Sequence, residues 1–225
     1  MFFGSSTDLN GLTSYWKFNG NSNDEIGANN GTDTNINYAA GLIGLGAGFN
    51  NPGVSYITIP DAENLSFDSD FSIVTLIRAT SLSGSPRVFS KRTTSTDWEY
   101  ILLYTSNRRM ALRDNVNANV ITCDTTDTIP LSTWYVSTIT YNASTKTLKQ
   151  YIDKNLNNVN SSTASFVSMD NTTAPLVIGI EGIDLTSGQF AGAMNALGIY
   201  KGKELTALEV EANVDKFLID NEHLI

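Results

Sequence analysis

Trp134-Tyr135-Val136-Ser137-Thr138-Ile139-Thr140-Tyr141 is followed, across Asn142-Ala143-Ser144-Thr145, by a second run, Thr147-Leu148-Lys149-Gln150-Tyr151-Ile152-Asp153. Both runs are rich in β-branched and aromatic residues, which suit a pleated, half-buried surface. The short Asn/Ser/Thr loop between them is turn chemistry, because these side chains hydrogen-bond their own backbone. The pair reads as a β-hairpin.

Outward from this hairpin the same rhythm repeats. Short apolar or alternating runs bounded by turn residues predict strands near 13–19, 55–59, 71–79, 86–91, 99–105, 108–113, 119–123, 175–180 and 189–201. Pro60, Pro86, Pro130 and Pro175 stand at the ends of these runs, where a missing N–H does no harm. Composition agrees: Asn, Ser and Thr together make up 71 of the 225 residues, and these types favour turns and strands over helix interiors. Hydrophobic residues at 41% supply a sizeable core, so the chain is not a disordered tail. An all-β domain is expected, and the length fits one large sandwich or barrel.

Two stretches break the rhythm. Residues 19–37 are too rich in Asn and Gly for a buried strand and predict a long polar loop of the kind that carries function. Near the C-terminus, Thr206 lies three residues before Glu209, a capping-box spacing, and Ala207, Val210, Val214, Phe217 and Leu218 share one helical face. One amphipathic helix is expected at 206–221. The chain therefore divides into an N-terminal extension (1–10), a β domain (11–205) and a helix with its tail (206–225).

Charge and rare residues remove whole classes. The formal charge of −9 opposes general binding to nucleic acid or anionic membranes. One block is basic: Arg78, Arg87, Lys91, Arg92, Arg108, Arg109 and Arg113, read either as solvated strand faces or as a surface for anionic ligands. The sole histidine, His223, sits two residues from the end, a poor place for a catalytic triad or a His-rich metal site. The sole cysteine, Cys123, has no partner for an internal disulfide and reads as a small core residue. Met1-Phe2-Phe3 gives way at once to polar residues, so no signal peptide is visible, and no apolar run is long enough for a membrane-spanning helix.

Several landmarks together resemble one family. Tyr15-Trp16-Lys17-Phe18-Asn19-Gly20-Asn21-Ser22-Asn23-Asp24, then Asn29-Asn30-Gly31-Thr32, Ile57-Thr58-Ile59-Pro60, Asp70-Phe71-Ser72-Ile73 and Trp134-Tyr135-Val136 occur in the order seen in laminin-G/pentraxin-like domains. These belong to the concanavalin A-like lectin and glucanase superfamily. Gln189 to Tyr200 and Leu205 to Val210 resemble that family's closing strand and short final helix. The resemblance implies a two-sheet antiparallel jelly-roll sandwich, with Trp16 and Trp134 in the core.

Three kinds of site follow as expectations. Trp98, flanked by acids after a polar turn, is either a packed residue or a stacking platform for a sugar, with Tyr100 and Tyr104 beside it as candidate ligand contacts. The family often holds calcium between the polar loop and the closing strand, which here implies Asp24, Asn30 and Asn195. Two of these are neutral amides where acids are common, which weakens such a site, and the other reading is a loop held by its own Asn and Asp hydrogen bonds. The paired acids of glucan-cleaving relatives have only a distant counterpart in Glu181-Gly182-Ile183-Asp184, so no catalysis is expected.

The expected function is accordingly a non-enzymatic surface protein. One version is display on a phage or virus particle, docked through Met1-Phe2-Phe3 and the C-terminal helix and touching host glycans. The alternative is a free or cell-surface carbohydrate-binding adhesion module, and a degenerate glycoside hydrolase or lyase is the third. Virion surface or extracellular space is the matching location.

Overall fold

The structure is a computed structural model and describes residues 11–49, 53–114, 119–161 and 166–219. Among the described residues, turn residues mark off fifteen strands: β1 (Ser14–Trp16), β2 (Thr32–Thr34), β3 (Asn37–Ala40), β4 (Leu45–Gly48), β5 (Tyr56–Ile59), β6 (Phe71–Ser81), β7 (Arg87–Arg92), β8 (Trp98–Tyr104), β9 (Arg108–Arg113), β10 (Val120–Asp124), β11 (Tyr135–Asn142), β12 (Thr147–Ile152), β13 (Asn155–Ser161), β14 (Leu176–Ile178) and β15 (Ala191–Lys201). One helix, α1 (Ala207–Ile219), follows.

The strands form two antiparallel sheets. One runs β13-β12-β11-β6-β15-β4-β3, with β1 also on β15, and the other runs β10-β9-β8-β7-β14-β5-β2. Their inner faces meet in a core that includes Ile73, Ile77, Ile139 and Leu197 from the first sheet and Phe89, Tyr100, Leu102, Leu112 and Ile178 from the second. Each such side chain contributes about 1.5–3 kcal/mol by leaving water. Trp16 is fully buried there and its indole N–H donates to the Asn29 carbonyl (2.8 Å). This is the jelly-roll sandwich expected from the sequence.

The 134–153 hairpin forms with Tyr141 opposite Leu148 and Asn142 opposite Thr147. Asp153 then turns the chain at φ +52°, a left-handed conformation that Asp tolerates better than most residues, and its carboxylate accepts from the Val136 N–H (2.9 Å). That turn leads into β13, which the apolar pattern does not reveal. Asn158 and Asn160 on β13 donate side-chain N–H groups to the Asp124 and Thr122 carbonyls of β10, so polar side chains join the edges of the two sheets.

The capping box is present. The Thr206 hydroxyl and N–H both donate to the Glu209 carboxylate (2.9 and 2.8 Å), and Glu209 N–H donates back to the Thr206 hydroxyl (3.3 Å). Val210, Val214 and Phe217 bury against Leu12, Tyr15, Val74, Leu76, Val136 and Tyr200 on the outer face of the eight-stranded sheet. The Phe217 ring meets Tyr15 edge-on at 5.5 Å.

The apolar stripe of α1 is covered by its own sandwich, and the N-terminal element Met1-Phe2-Phe3 lies outside the described residues, as does His223. One expectation changes here. Trp134 lies just ahead of β11, half-buried against the cluster under α1 with the Arg78 guanidinium 5.1 Å above its ring, rather than in the inter-sheet core.

Candidate functional site

At one end of the sandwich, a cavity of about 240 Å³ opens between two loops. The first loop follows β5, carries a 3-10 turn at Glu63–Leu65, and contributes Glu63, Ser66, Phe67 and Asp68. The second precedes β14 and contributes Ser168, Met169 and Asn171, while Lys201 at the end of β15 completes the wall. Glu63, Asp68 and Asn171 are exposed at the mouth; Ser66, Phe67 and Met169 are buried. Phe67 is fixed by stacking on Phe71 (4.2 Å between centroids) and Tyr100 (5.0 Å). A polar rim over a small apolar floor suits a ligand with hydroxyl groups on its edge and C–H groups on its face.

A buried ion pair holds the two loops together. Lys91 on β7 and Glu99 on β8 lie 2.8 Å apart with both side chains fully buried. The Lys91 ammonium also reaches the Asp61 carboxylate (2.6 Å) on the first loop and donates to the Ala174 (2.7 Å) and Thr172 (3.3 Å) carbonyls on the second. Glu99 accepts from the Ser66 hydroxyl (3.0 Å) on one side and from the Thr172 N–H (2.9 Å) and hydroxyl (3.1 Å) on the other. Burial pushes the Glu99 carboxyl up from its ordinary value against the opposing pull of Lys91. Both lips of the cavity are therefore anchored on one charge pair at the end of the second sheet.

A bulge in β8 makes this possible. Lys91 pairs with Tyr100 and Arg92 with Trp98, which leaves Glu99 as the extra residue. The same bulge separates Trp98 from Tyr100. Trp98 lies on the outer face with Ile101 and Ala111, only 8% exposed, with Arg92 5.9 Å over its ring. Tyr100 and Tyr104 point into the core: Tyr100 donates to the Leu65 carbonyl (2.9 Å), Tyr104 contacts the Tyr135 hydroxyl, and burial raises both phenols well above their ordinary value. The expected ligand contacts at Tyr100 and Tyr104 are thus corrected, since neither has an outer surface, and Trp98 takes the packed one of its two readings.

Asp24, Asn30 and Asn195 are not assembled into a metal site either. One Asp24 carboxylate oxygen accepts from the N–H groups of Tyr15 (2.9 Å), Ile26 (3.1 Å) and Gly27 (2.9 Å), and the other from Asn29 (3.2 Å). The Asn30 side-chain carbonyl accepts from Asp24 N–H (3.0 Å). The Asn195 carbonyl oxygen accepts from Leu42 (2.7 Å) and Ile43 (3.1 Å), and its amide donates to Ile43 and Leu45, which pins the turn between β3 and β4. Oxygens aimed at N–H donors in two separate turns do not fit a calcium ion, which needs them converging on one point. Among the described residues no group of three or more His, Cys, Asp or Glu is placed to hold a metal.

The basic block dissolves into local partnerships. Arg87 and Arg92 pair with the buried Glu181 (2.9 and 3.3 Å), Arg109 with Asp124 (2.7 Å) and Arg113 with Asp170 (3.5 Å). Arg108 is buried and donates to the Gln150 side chain (2.8 Å) and the Tyr151 carbonyl (3.0 Å). Asp184, in contrast to Glu181, is exposed, and the Thr186 and Ser187 N–H groups hold its carboxyl below the usual range. Glu181 is occupied by two arginines and Asp184 by its own turn, so they are not an acid and nucleophile pair. Cys123 is buried in the core, as expected, and burial pushes its thiol up to about 11.

Sequence reasoning missed the cavity. Glu63, Asp68, Asn171 and Lys201 come from distant stretches with no shared motif. The one available signal was a Pro-bounded polar stretch, 60–70, between two predicted strands.

A family model described as the concanavalin A-like lectin/glucanases superfamily, of laminin-G type, matches residues 51–211, and the chain belongs to that superfamily. No curated protein matches. Among solved structures, the binding domain of Paraclostridial Mosquitocidal Protein 1 superposes with a TM-score of 0.73 at 19% identity, covering 92% of this chain and 52% of that one. Domain 4 of AbnA, a GH43 extracellular arabinanase from Geobacillus stearothermophilus, solved with arabinotriose, gives 0.69 at 22%, covering 89% and 97%. The binding domain of Botulinum Neurotoxin DC, solved with SialylT, gives 0.70 at 14%, covering 92% and 52%. The chain spans about half the length of these toxin binding domains, and at these identities the likeness establishes the fold. Two of these structures are binding domains and the third is one domain of an arabinanase, and no described helix here is long and apolar enough to cross a membrane.

Proposed function

We propose that this chain is a non-catalytic carbohydrate-binding module acting outside the cell, and that its site is the cavity between the 63–68 and 168–171 loops. The observation that carries this reading is the cavity's make-up: a rim of carboxylate, amide, hydroxyl and ammonium groups over the buried Phe67 and Met169, held rigid by the Lys91–Glu99 pair. Preorganised hydrogen-bonding groups keep down the ordering cost that otherwise weakens binding of small polar ligands. The relatives solved with arabinotriose and SialylT support the choice of ligand class. Separated, occupied acids at Glu181 and Asp184 support a binding role over glycoside cleavage. Display on a phage or virus particle has no support in the fold, the site or the relatives.

Calorimetric titration with a panel of mono- and oligosaccharides tests the reading. Binding is expected for at least one neutral sugar, with about two- to tenfold loss in Asn171→Ala and about tenfold or more in Asp68→Ala, as a neutral hydrogen bond is worth about 0.5–1.5 kcal/mol and one to a charged group about 1.5–3 kcal/mol. Binding that both variants leave untouched would place the site elsewhere.

A further inference from the structure

Resting on the cavity as the sugar site, we infer that it takes an uncharged sugar residue and discriminates against acidic sugars such as sialic or uronic acids. The charge of the wall decides this. Its ionisable side chains are two carboxylates, Glu63 and Asp68, and one ammonium, Lys201. The Lys201 ammonium donates to the Glu63 backbone carbonyl (2.8 Å), which fixes its position and leaves it as the one positive charge in the wall. The cation beneath the floor, Lys91, is matched by Glu99 at 2.8 Å and Asp61 at 2.6 Å. The next cation along the second loop, Arg113, faces Asp170 at 3.5 Å. An incoming carboxylate therefore meets two like charges at the mouth against a single ammonium, a net negative wall, while the neighbouring cations Lys91 and Arg113 are already paired with carboxylates.

For a neutral sugar the same groups are an asset. A carboxylate accepts from two neighbouring hydroxyls at once, and the Asn171 amide both donates and accepts. Hydrogen bonds to an ionised acceptor are about twice as strong as neutral ones, so Glu63 and Asp68 favour hydroxyl-bearing ligands for the reason that they disfavour anions.

The experiment compares matched pairs: glucose with glucuronate, galactose with galacturonate and lactose with sialyllactose, together with arabinotriose, each titrated by calorimetry at low and at physiological salt. The neutral member of a binding pair is expected to bind about tenfold or more tightly than the acid, and the gap narrows as salt screens the rim. In Glu63→Gln/Asp68→Asn the ratio of neutral to acidic affinity moves toward unity, because both replacements keep the side-chain shape and remove only the charge. Acidic sugars that bind as tightly as their neutral partners, and lose that binding in Asn171→Ala, would overturn the charge argument and leave the cavity as the site. Binding unaffected by Asn171→Ala and by the double variant, or no binding across the panel, would overturn the assignment of the cavity and this inference with it.

Discussion

Two polar regions lie side by side at one end of the sandwich, and they use the same residue types to opposite ends. In the 19–31 loop, the Asp24 carboxylate answers four backbone N–H groups, and Asn29 donates both to Ser14 (2.7 Å) and to Asn64 (2.9 Å). Asp24, Asn29 and Asn30 are spent on the fold, and the loop behaves as a brace. The cavity rim beside it keeps carboxylate and amide groups turned to solvent at Glu63, Asp68 and Asn171. Asn64, one residue from Glu63, connects the two regions. Polar composition alone does not separate a brace from a binding surface; the degree of hydrogen-bond satisfaction does.

The sharpest way to break this contrast is to cut the anchor under the rim. Lys91→Met leaves Glu99 buried and unpaired and is expected to cost about 3–5 kcal/mol in urea unfolding, whereas Lys91→Met/Glu99→Leu recovers most of that loss. A single-variant cost under about 1 kcal/mol would mean that the pair does not hold the loops. Next in size, Asp24→Ala strands several N–H groups and is expected to cost about 2–3 kcal/mol. Millimolar calcium is expected to leave the melting temperature of the parent protein unchanged; a rise that disappears in Asp24→Asn would turn the brace into a metal site.

The rim gives a smaller effect on stability and a larger one on binding. Asp68→Ala and Asn171→Ala are expected to shift unfolding by no more than about 0.5 kcal/mol, the usual range for exposed positions. A large stability loss in either would make the rim structural, like its neighbour. The mildest test is acidification at the start of α1. Lys203 and then the Thr206 N–H hold the Glu209 carboxyl below its ordinary 4.5, so its contribution to the cap is complete above that value and is lost as pH falls through the lowered one. Amide exchange at 207–210 is expected to quicken over that interval. Thr206→Ala, costing about 1 kcal/mol at neutral pH, mimics part of the loss.

Legibility in the sequence followed local physics. The 134–153 hairpin carries strand residues around turn residues, and Thr206 with Glu209 states its own capping box, so both appear as expected. Strand β13 did not, because the two apolar residues of Asn155 to Ser161, Leu156 and Val159, are three apart and make no alternating pattern; it forms by pairing with β12 and through Asn158 and Asn160 bonds to the facing sheet. The aromatic residues of β8 failed for a different reason. Simple alternation puts Trp98, Tyr100 and Tyr104 on one face, and a single bulged residue, Glu99, moves Trp98 to the other.

By itself the sequence determined an all-β sandwich with one C-terminal helix, since hydrophobic period, turn chemistry and capping act over a few residues and are written where they act. It also determined the shortage of His and Cys, which speaks against a His-based triad or a His-rich metal site. Only the tertiary structure decided which polar groups are consumed and which remain open. Glu63, Asp68, Asn171 and Lys201 become neighbours through long-range strand pairing, and Lys91 meets Glu99 across a bulge whose position no local pattern announces.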